Sequence, residues 1–126
     1  MNTLDLFHKT TDFDEFRAGQ VIFEAGKPGD TMYVIKEGEV EIKLGEQSVL
    51  SLQAGEIFGE MALIDTSARS ATAVARTDCR LIPITQQRFT FLIQQTPFFS
   101  IHVMRILVNR IRKMNEYINS RGGSTV

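Results

Sequence analysis

Residues 57–76, with the sequence IFGEMALIDTSARSATAVAR, decide the fold. The apolar pair before Gly59 suits the end of a strand, and residues 60–64 suit one or two turns of helix. A polar loop over residues 65–68 follows, and Arg69 opens a second β-prone run that reaches residue 75. A strand, a short helix, a loop and another strand in this order predict a cup, because the chain turns back on itself over a short distance.

The polar groups of this cup predict a ligand with both a phosphate and a hydroxyl group. Arg69 can form a forked, charge-assisted pair with a phosphate, Ser70 adds a hydroxyl donor, and the amides of the first helical turn lack intrahelical acceptors. Glu60 only accepts hydrogen bonds, so it suits a sugar hydroxyl. Gly59 lets a ligand approach the main chain closely. From the residues alone, a structural ion pair between Glu60 and Arg69 is an equally good interpretation.

Outside this stretch, the first two thirds of the chain contain many short apolar runs separated by glycine turns. Residues 39–44, EVEIKL, alternate cleanly and place Val40, Ile42 and Leu44 on one face. This pattern predicts a mainly β fold, either a sandwich or a closed barrel. The expected strands are residues 20–23, 32–36, 39–44, 48–52, 56–58, 70–75 and 79–84.

The last third of the chain is predicted to be helical. Residues 86–95 have a helical composition, and Pro97 opens a second helix that runs to about residue 119. The seam of this helix predicts a homodimer through residues 97–119, and the alternative is a helix packed on the barrel without a partner chain. The seam has heptad-like spacing in two series, Ile101, Val108 and Asn115 in one and Met104, Ile111 and Ile118 in the other.

Composition excludes several classes of protein. The chain has 126 residues, is 43% hydrophobic and has a net charge of −1, which predicts one globular domain that is no polyelectrolyte binder. Cys79 is the single cysteine, so an intramolecular disulfide is excluded, and with only His8 and His102 no metal or iron–sulfur site is expected. The sequence lacks the pattern of a signal peptide or a membrane-spanning run, so we expect a cytoplasmic protein without membrane contact.

Residues 58–63 (FGEMAL), followed after five residues by 69–75 (RSATAVA), resemble the phosphate-binding cassette of the cyclic nucleotide-binding domain family. Residues 22–38 resemble the early glycine-turn pattern of the same family, and the likeness extends over roughly residues 5–119. The resemblance implies a mainly β fold with flanking helices (α+β), an antiparallel jelly-roll barrel followed by a C-terminal pair of helices. It implies no cofactor, only a cyclic nucleotide as ligand.

The resemblance also implies the composition of the site. Glu60 would accept a hydrogen bond from the ribose 2′-hydroxyl, and Arg69 would pair with the exocyclic oxygens of the cyclic phosphate. Backbone amides around residues 61–62 and 70–71 would complete the anion cradle, and Val49 would lie along the base. The implied cyclic nucleotide-binding residues of the cassette are Phe58, Gly59, Glu60, Met61, Ala62, Arg69, Ser70 and Ala71.

The sequence departs from the family pattern in two places. Ala68 stands where many relatives have a proline, which should soften the loop without removing a contact. On the long helix, Met114 and Asn115 occupy positions at which a family member reads adenine with a Thr-Ser pair. Asn115 still offers donors and an acceptor to a purine edge, and Arg110 is a candidate to reach the phosphate or Glu60. Cyclic AMP is favoured over cyclic GMP.

Together these features predict one domain over residues 1–119, with the barrel at about 18–85, the helices at about 86–119 and a flexible tail over 120–126. We expect a non-catalytic sensor that signals by movement of its C-terminal helix to a protein partner that the sequence does not identify. The alternatives are a ligand-free scaffold for protein contacts and a partner subunit of a transcription regulator. An enzyme is not expected, because histidines are not clustered and Ser70 lacks an evident base.

Direct DNA binding is also not expected. Only seven residues follow the long helix, too few for a helix-turn-helix reader. Residues 101–126 contain five basic side chains and one acidic side chain. We interpret them as a solvated helix face in preference to a surface for nucleic acid or an acidic partner.

Overall fold

The computed structural model describes residues 4, 7, 12–64 and 68–120. The chain forms two compact units, residues 1–89 and 90–126. In chain order the elements are β1 (Asp14–Phe16), β2 (Val21–Phe23), β3 (Thr31–Glu37), β4 (Val40–Leu44), β5 (Gln47–Leu52), β6 (Ile57–Phe58), α1 (Met61–Ile64), β7 (Thr72–Ala75), β8 (Cys79–Thr85), α2 (Gln86–Gln95) and α3 (Pro97–Ser120).

The strands of the first unit form two four-stranded antiparallel sheets. One sheet has the order β1-β8-β3-β6 and the other has the order β2-β7-β4-β5. The predicted mainly β fold with antiparallel strands and C-terminal helices is therefore confirmed. Because each strand of the described ranges pairs within one of the two sheets, the arrangement is a jelly-roll-like sandwich rather than a barrel with a continuous hydrogen-bond ladder.

Both sheets contribute side chains to one hydrophobic core. The predicted alternation in β4 is confirmed at Val40 and Ile42, which are buried. Leu44, which the alternation places on the same face, is 53% exposed because it ends the strand next to the turn at Gly45. The buried members of the core cluster are Ile35, Val40, Ile42, Leu52, Phe58, Ala73, Ala75, Cys79 and Leu81.

The strand β1 was not predicted. It pairs antiparallel with β8, with Asp14 opposite Leu81 and Phe16 opposite Cys79. Two of its three residues are acidic and exposed, so the segment has no apolar alternation that could identify it as a strand. Main-chain pairing at the edge of the sheet defines it instead. The sheet region consequently begins at Asp14 rather than at about residue 18.

The helices follow the predicted bounds closely, and α3 extends to Ser120, the first residue of the expected tail. Residues 121–126 of that tail lie outside the described residues. In α3, Phe99 and Val103 are buried, whereas the apolar heptad positions are exposed, from 40% for Ile118 to 59% for Met104. Within the described ranges, no single helix is long and apolar enough to cross a membrane; α2 and α3 meet the length and composition criteria only together, as a bent pair.

Candidate functional site

The first part of the candidate site is the junction between β6 and α1. The strand ends at Phe58, Gly59 follows with a φ of 81°, and α1 begins directly after Glu60. The main-chain oxygen of Glu60 accepts hydrogen bonds from the amides of Leu63 at 3.0 Å and Ile64 at 3.1 Å. The Glu60 side chain is only 4% exposed. The first turn of the short helix therefore fixes the main chain of a buried carboxylate.

The second part is Arg69, whose main chain is paired with the turn that follows β2. The amide of Arg69 donates to the oxygen of Lys27 at 2.9 Å, and the amide of Gly26 donates to the oxygen of Arg69 at 2.8 Å. Nearby, the amide of Ala25 donates to Oγ1 of Thr72 at 3.0 Å. These bonds hold Arg69 against the turn before β7 begins.

The guanidinium group of Arg69 is anchored inside the site. Its Nη1 donates to the oxygen of Gly59 at 3.0 Å, and its Nη2 donates to the oxygen of Thr31 at 2.6 Å. Its Cζ lies 4.0 Å from the centre of the Phe23 ring, a cation–π distance. The residue is 8% exposed, and among the described residues its buried Nε has no hydrogen-bond partner. The site thus holds a fixed cation with an unused donor.

Burial and neighbouring groups have opposite effects on this cation. Burial lowers the pKa of Arg69 from its ordinary value, and the nearby Tyr33, Asp30 and Glu60 raise it. A guanidinium stays protonated under ordinary conditions, so the site remains cationic. Within the described parts of the chain, Glu60 and Arg69 are the two charged side chains that are buried. The two predicted residues therefore share one buried environment and interact electrostatically, while the side chain of Arg69 donates to main-chain carbonyls.

The comparison with protein families identifies this arrangement. Residues 13–96 match the family model described as the cyclic nucleotide-binding domain. The match covers both sheets of the first unit from Asp14 onward, the β6–α1 junction and Arg69. The chain belongs to the cyclic nucleotide-binding domain family.

The chain is also similar to individual proteins in sequence and in structure. The chain is 34% identical over 100 residues to the cyclic AMP receptor protein of Thermus thermophilus, covering 75% of this chain and 46% of that protein. The crystal structure of the catabolite activator protein of Thermus thermophilus superposes with a TM-score of 0.80 at 29% identity, over 95% of this chain and 59% of that chain.

A chain solved in work on a cyclic-GMP-dependent signalling pathway in bacterial phytopathogenesis superposes with a TM-score of 0.75 at 33% identity, over 87% of this chain and 91% of that chain. The match spans about half the length of the cyclic AMP receptor protein and of the CRP-like regulator of Mycobacterium tuberculosis, and a smaller share of the cAMP-dependent protein kinase regulatory subunits.

The other predicted cassette residues differ in their exposure. The ring of Phe58 is buried in the core, with centroids 5.8 Å from Phe23 and 5.4 Å from Tyr33, so only its main chain is left for a ligand. Ala62 is buried and Ala71 is partly buried against the core. Met61 is 50% exposed, and Ser70 donates from Oγ to the Sδ of Met61 at 3.7 Å. Met61 and Ser70 are therefore the exposed members of the cassette.

The predicted base-contacting residues are divided between the two units. Val49 lies on β5 in the first unit and is 43% exposed. Arg110 and Asn115 lie on α3 in the second unit, and both are half-buried. Residues 65–67 of the predicted loop lie outside the described residues. The binding roles of these residues, and of the cassette members, remain predictions.

The residues that surround the Arg69 side chain were not predicted from the sequence. Phe23 lies under the guanidinium, Thr31 accepts one of its hydrogen bonds, and Gly29 lies beside it. Gly59 was predicted to make room for a ligand, but a Cβ at Gly59 would lie 2.9 Å from Nη1 of Arg69, so the guanidinium itself uses that space. The glycine-turn pattern over residues 22–38 was the available signal, but nothing in it points to a residue as distant in sequence as Arg69.

Proposed function

We propose that this chain is a non-catalytic regulatory module that binds a 3′,5′-cyclic nucleotide between Glu60 and Arg69. The observation that carries the proposal is the buried pair itself, a carboxylate that is 4% exposed beside a guanidinium that is 8% exposed and has an unused Nε donor. Buried charges are costly unless they are paired and hydrogen-bonded. An anionic ligand at Arg69 would supply the missing acceptor.

The two side chains suit different parts of a cyclic nucleotide. The planar fork of Arg69 matches the two exocyclic oxygens of the cyclic phosphate. Glu60 accepts hydrogen bonds only, so it matches the ribose 2′-hydroxyl, and its negative charge disfavours the doubly charged phosphate of linear AMP. The amides of residues 61–62 and 70–71 complete the anion cradle in this proposal. The site therefore selects a singly charged phosphate next to a hydroxyl.

Cyclic AMP is the preferred ligand in this proposal. The support is the similarity to a protein named cyclic AMP receptor protein, and the similarity to a chain from a cyclic-GMP-dependent pathway makes cyclic GMP the necessary comparison. Val49 would lie along the base, with Asn115 and Arg110 as further candidates to read it. Measured affinities for the two nucleotides decide between them.

In this proposal, α3 transmits the signal of ligand binding and also forms the contact between the two chains of a homodimer. Its heptad-spaced apolar side chains are 40–59% exposed although the helix has 24 residues. A second copy of the same helix would cover such a seam, because heptad spacing lets two helices interdigitate. Ligand binding can move α3 only if the ligand interacts differently with the two positions of the helix.

Titration calorimetry with cyclic AMP, cyclic GMP and linear AMP tests the proposal. We expect a cyclic nucleotide to bind the wild-type chain, and Arg69→Ala to weaken binding by roughly 2–5 kcal/mol, the cost of breaking a buried charged contact. Arg76→Ala is the matched control, because Arg76 is 56% exposed and pairs with Glu39 at 3.5 Å on the surface. Absence of cyclic-nucleotide binding, or equal affinities in the wild-type and Arg69→Ala chains, would overturn the proposal; rapid hydrolysis of the nucleotide would overturn its non-catalytic part.

A further inference from the structure

The guanidinium of Arg69 is closely packed by a glycine and an aromatic ring, Gly29 and Phe23, which together are called the slot. Its Cζ is 4.0 Å from the centre of the Phe23 ring. Gly29 also lies against the group, since a Cβ added there would meet Nε and would lie 2.5 Å from Cζ and 2.7 Å from Nη2. Real Cβ atoms essentially never approach other atoms this closely. Any larger residue at this position would therefore collide with the guanidinium.

The backbone does not explain why position 29 is a glycine. Six other glycines have positive φ angles, and Gly29 is not among them, so an alanine could adopt its backbone conformation. The three atoms nearest to a Cβ at Gly29 all belong to the far end of the Arg69 side chain. The glycine is therefore required by the position of the guanidinium and not by the turn.

Hydrogen bonds also fix the guanidinium. The Gly59 and Thr31 oxygens accept from Nη1 and Nη2, so the group cannot rotate in its plane without losing a hydrogen bond. The Phe23 ring, Gly29 and the two carbonyl oxygens together define the plane and the direction of the Arg69 guanidinium. A group that is already ordered in its binding geometry loses less conformational entropy when the ligand arrives.

We propose that Gly29 and Phe23 are positioning residues for phosphate recognition, which form a slot that holds the Arg69 guanidinium in its ligand-binding plane before the ligand binds. The inference rests on the proposed function, since it assigns to the slot the task of preparing Arg69 for the phosphate. Neither residue touches the ligand in this proposal. Both act through Arg69.

A double-mutant cycle tests this dependence. Gly29→Ala should weaken cyclic AMP binding by about tenfold, the scale expected when one long side chain must be ordered anew. In an Arg69→Lys background the same change should alter affinity by less than about twofold, because lysine has no planar group to fill the slot. The control is Gly45→Ala, since a Cβ at Gly45 meets nothing within 4 Å; its φ of 62° makes alanine strained there, so affinities are compared for the folded chains. It should leave the affinity unchanged.

A measurement without ligand tests the slot separately. In the ¹H–¹⁵N spectrum of the wild-type chain, the buried Nε–H of Arg69 should give a slowly exchanging signal, absent from Arg69→Lys, with a ring-current shift that Phe23→Leu removes. Gly29→Ala should move or broaden this signal. The thermal midpoint of Gly29→Ala should stay close to that of the wild-type chain, because the collision involves the far end of a side chain rather than main chain.

The outcomes separate the two proposals. If the wild-type chain binds no cyclic nucleotide, the proposed function fails, and the spectrum alone decides whether the slot exists. If the wild-type chain binds and Arg69→Lys weakens binding, but Gly29→Ala changes neither the affinity nor the Nε–H signal, the positioning role is overturned while the proposed function stands. Equal losses from Gly29→Ala in the wild-type chain and in the Arg69→Lys background would also overturn it.

Discussion

Replacing Glu60 by glutamine tests the assignment of the carboxylate most directly. The two side chains have nearly the same shape, so Glu60→Gln removes the charge and one acceptor while leaving the buried volume almost unchanged. Affinity for cyclic AMP alone is a poor readout, because loss of the carboxylate also relieves its repulsion of the phosphate beside Arg69. The informative quantity is the ratio of the affinities for cyclic AMP and 2′-deoxy cyclic AMP, in which the effect on the phosphate cancels.

The size of the effect follows from the burial of the carboxylate. Glu60 is 4% exposed, so water screens its hydrogen bonds little. A hydrogen bond to a charged group contributes about 1.5–3 kcal/mol, so loss of the 2′-hydroxyl should weaken binding to the wild-type chain by roughly 10- to 150-fold. A hydrogen bond between neutral groups contributes about 0.5–1.5 kcal/mol, so in Glu60→Gln the loss should shrink to roughly 2- to 13-fold.

Calorimetric titration of both nucleotides into both chains measures the two ratios. Glu46→Gln is the matched control, because Glu46 is exposed in the turn between β4 and β5, and its ratio should equal that of the wild-type chain. Urea unfolding of each variant ensures that only folded chains are compared. The same ratio in the wild-type chain and in Glu60→Gln would show that the carboxylate does not contact the 2′-hydroxyl.

Three further predictions concern the framework of the protein. Gly38→Ala should lower the free energy of unfolding, measured by urea titration, by at least about 1–2 kcal/mol. The reason is that Gly38 has a φ of 99° and that a Cβ there would lie 2.5 Å from the Asp78 oxygen. An unchanged urea midpoint would contradict this prediction. Burial raises the pKa of the Cys79 thiol, so at pH 8 the folded chain should resist alkylation and the urea-unfolded chain should not. The free energy of unfolding should also fall as the pH rises above the ordinary thiol pKa, because the thiol of the unfolded chain ionises first. Rapid labelling of the folded chain, measured by mass spectrometry, would refute this prediction. Ile111→Glu should convert a dimer into monomers in sedimentation velocity, whereas Lys113→Glu should not, and equal behaviour of the two variants would argue against the seam.

Most of the fold was predictable because glycine turns separate short apolar runs along the first two thirds of the chain. The strand β1 was not predictable, since its side chains carry no alternation and its pairing is through the main chain of β8. The exposure of Leu44 was not predictable either, because a period of two predicts the face of a strand but not where the strand leaves the core. Local pattern therefore located the strands better than their ends.

The two charged residues of the candidate site were predictable from the sequence, but the residues that surround the Arg69 side chain were not. Glu60 and Arg69 lie within one continuous motif, so their spacing carries the information. Phe23, Gly29 and Thr31 reach Arg69 from a separate part of the chain, 38 or more residues earlier. The turn after β2 meets Arg69 through main-chain hydrogen bonds, and such bonds leave no trace in the identity of the side chains.

The two proposed ligand contacts are connected by a single peptide unit. Nη1 of Arg69 donates to the oxygen of Gly59, and the amide nitrogen of that same peptide belongs to Glu60. The main-chain oxygen of Glu60 in turn accepts hydrogen bonds from the amides of Leu63 and Ile64, so this residue anchors the first turn of α1. Breaking the hydrogen bond from Arg69 to Gly59 would therefore disturb both the residue that is proposed to bind the sugar and the helix that follows it. Since the two proposed contacts share this peptide unit, we expect the effects of removing them on binding to be non-additive.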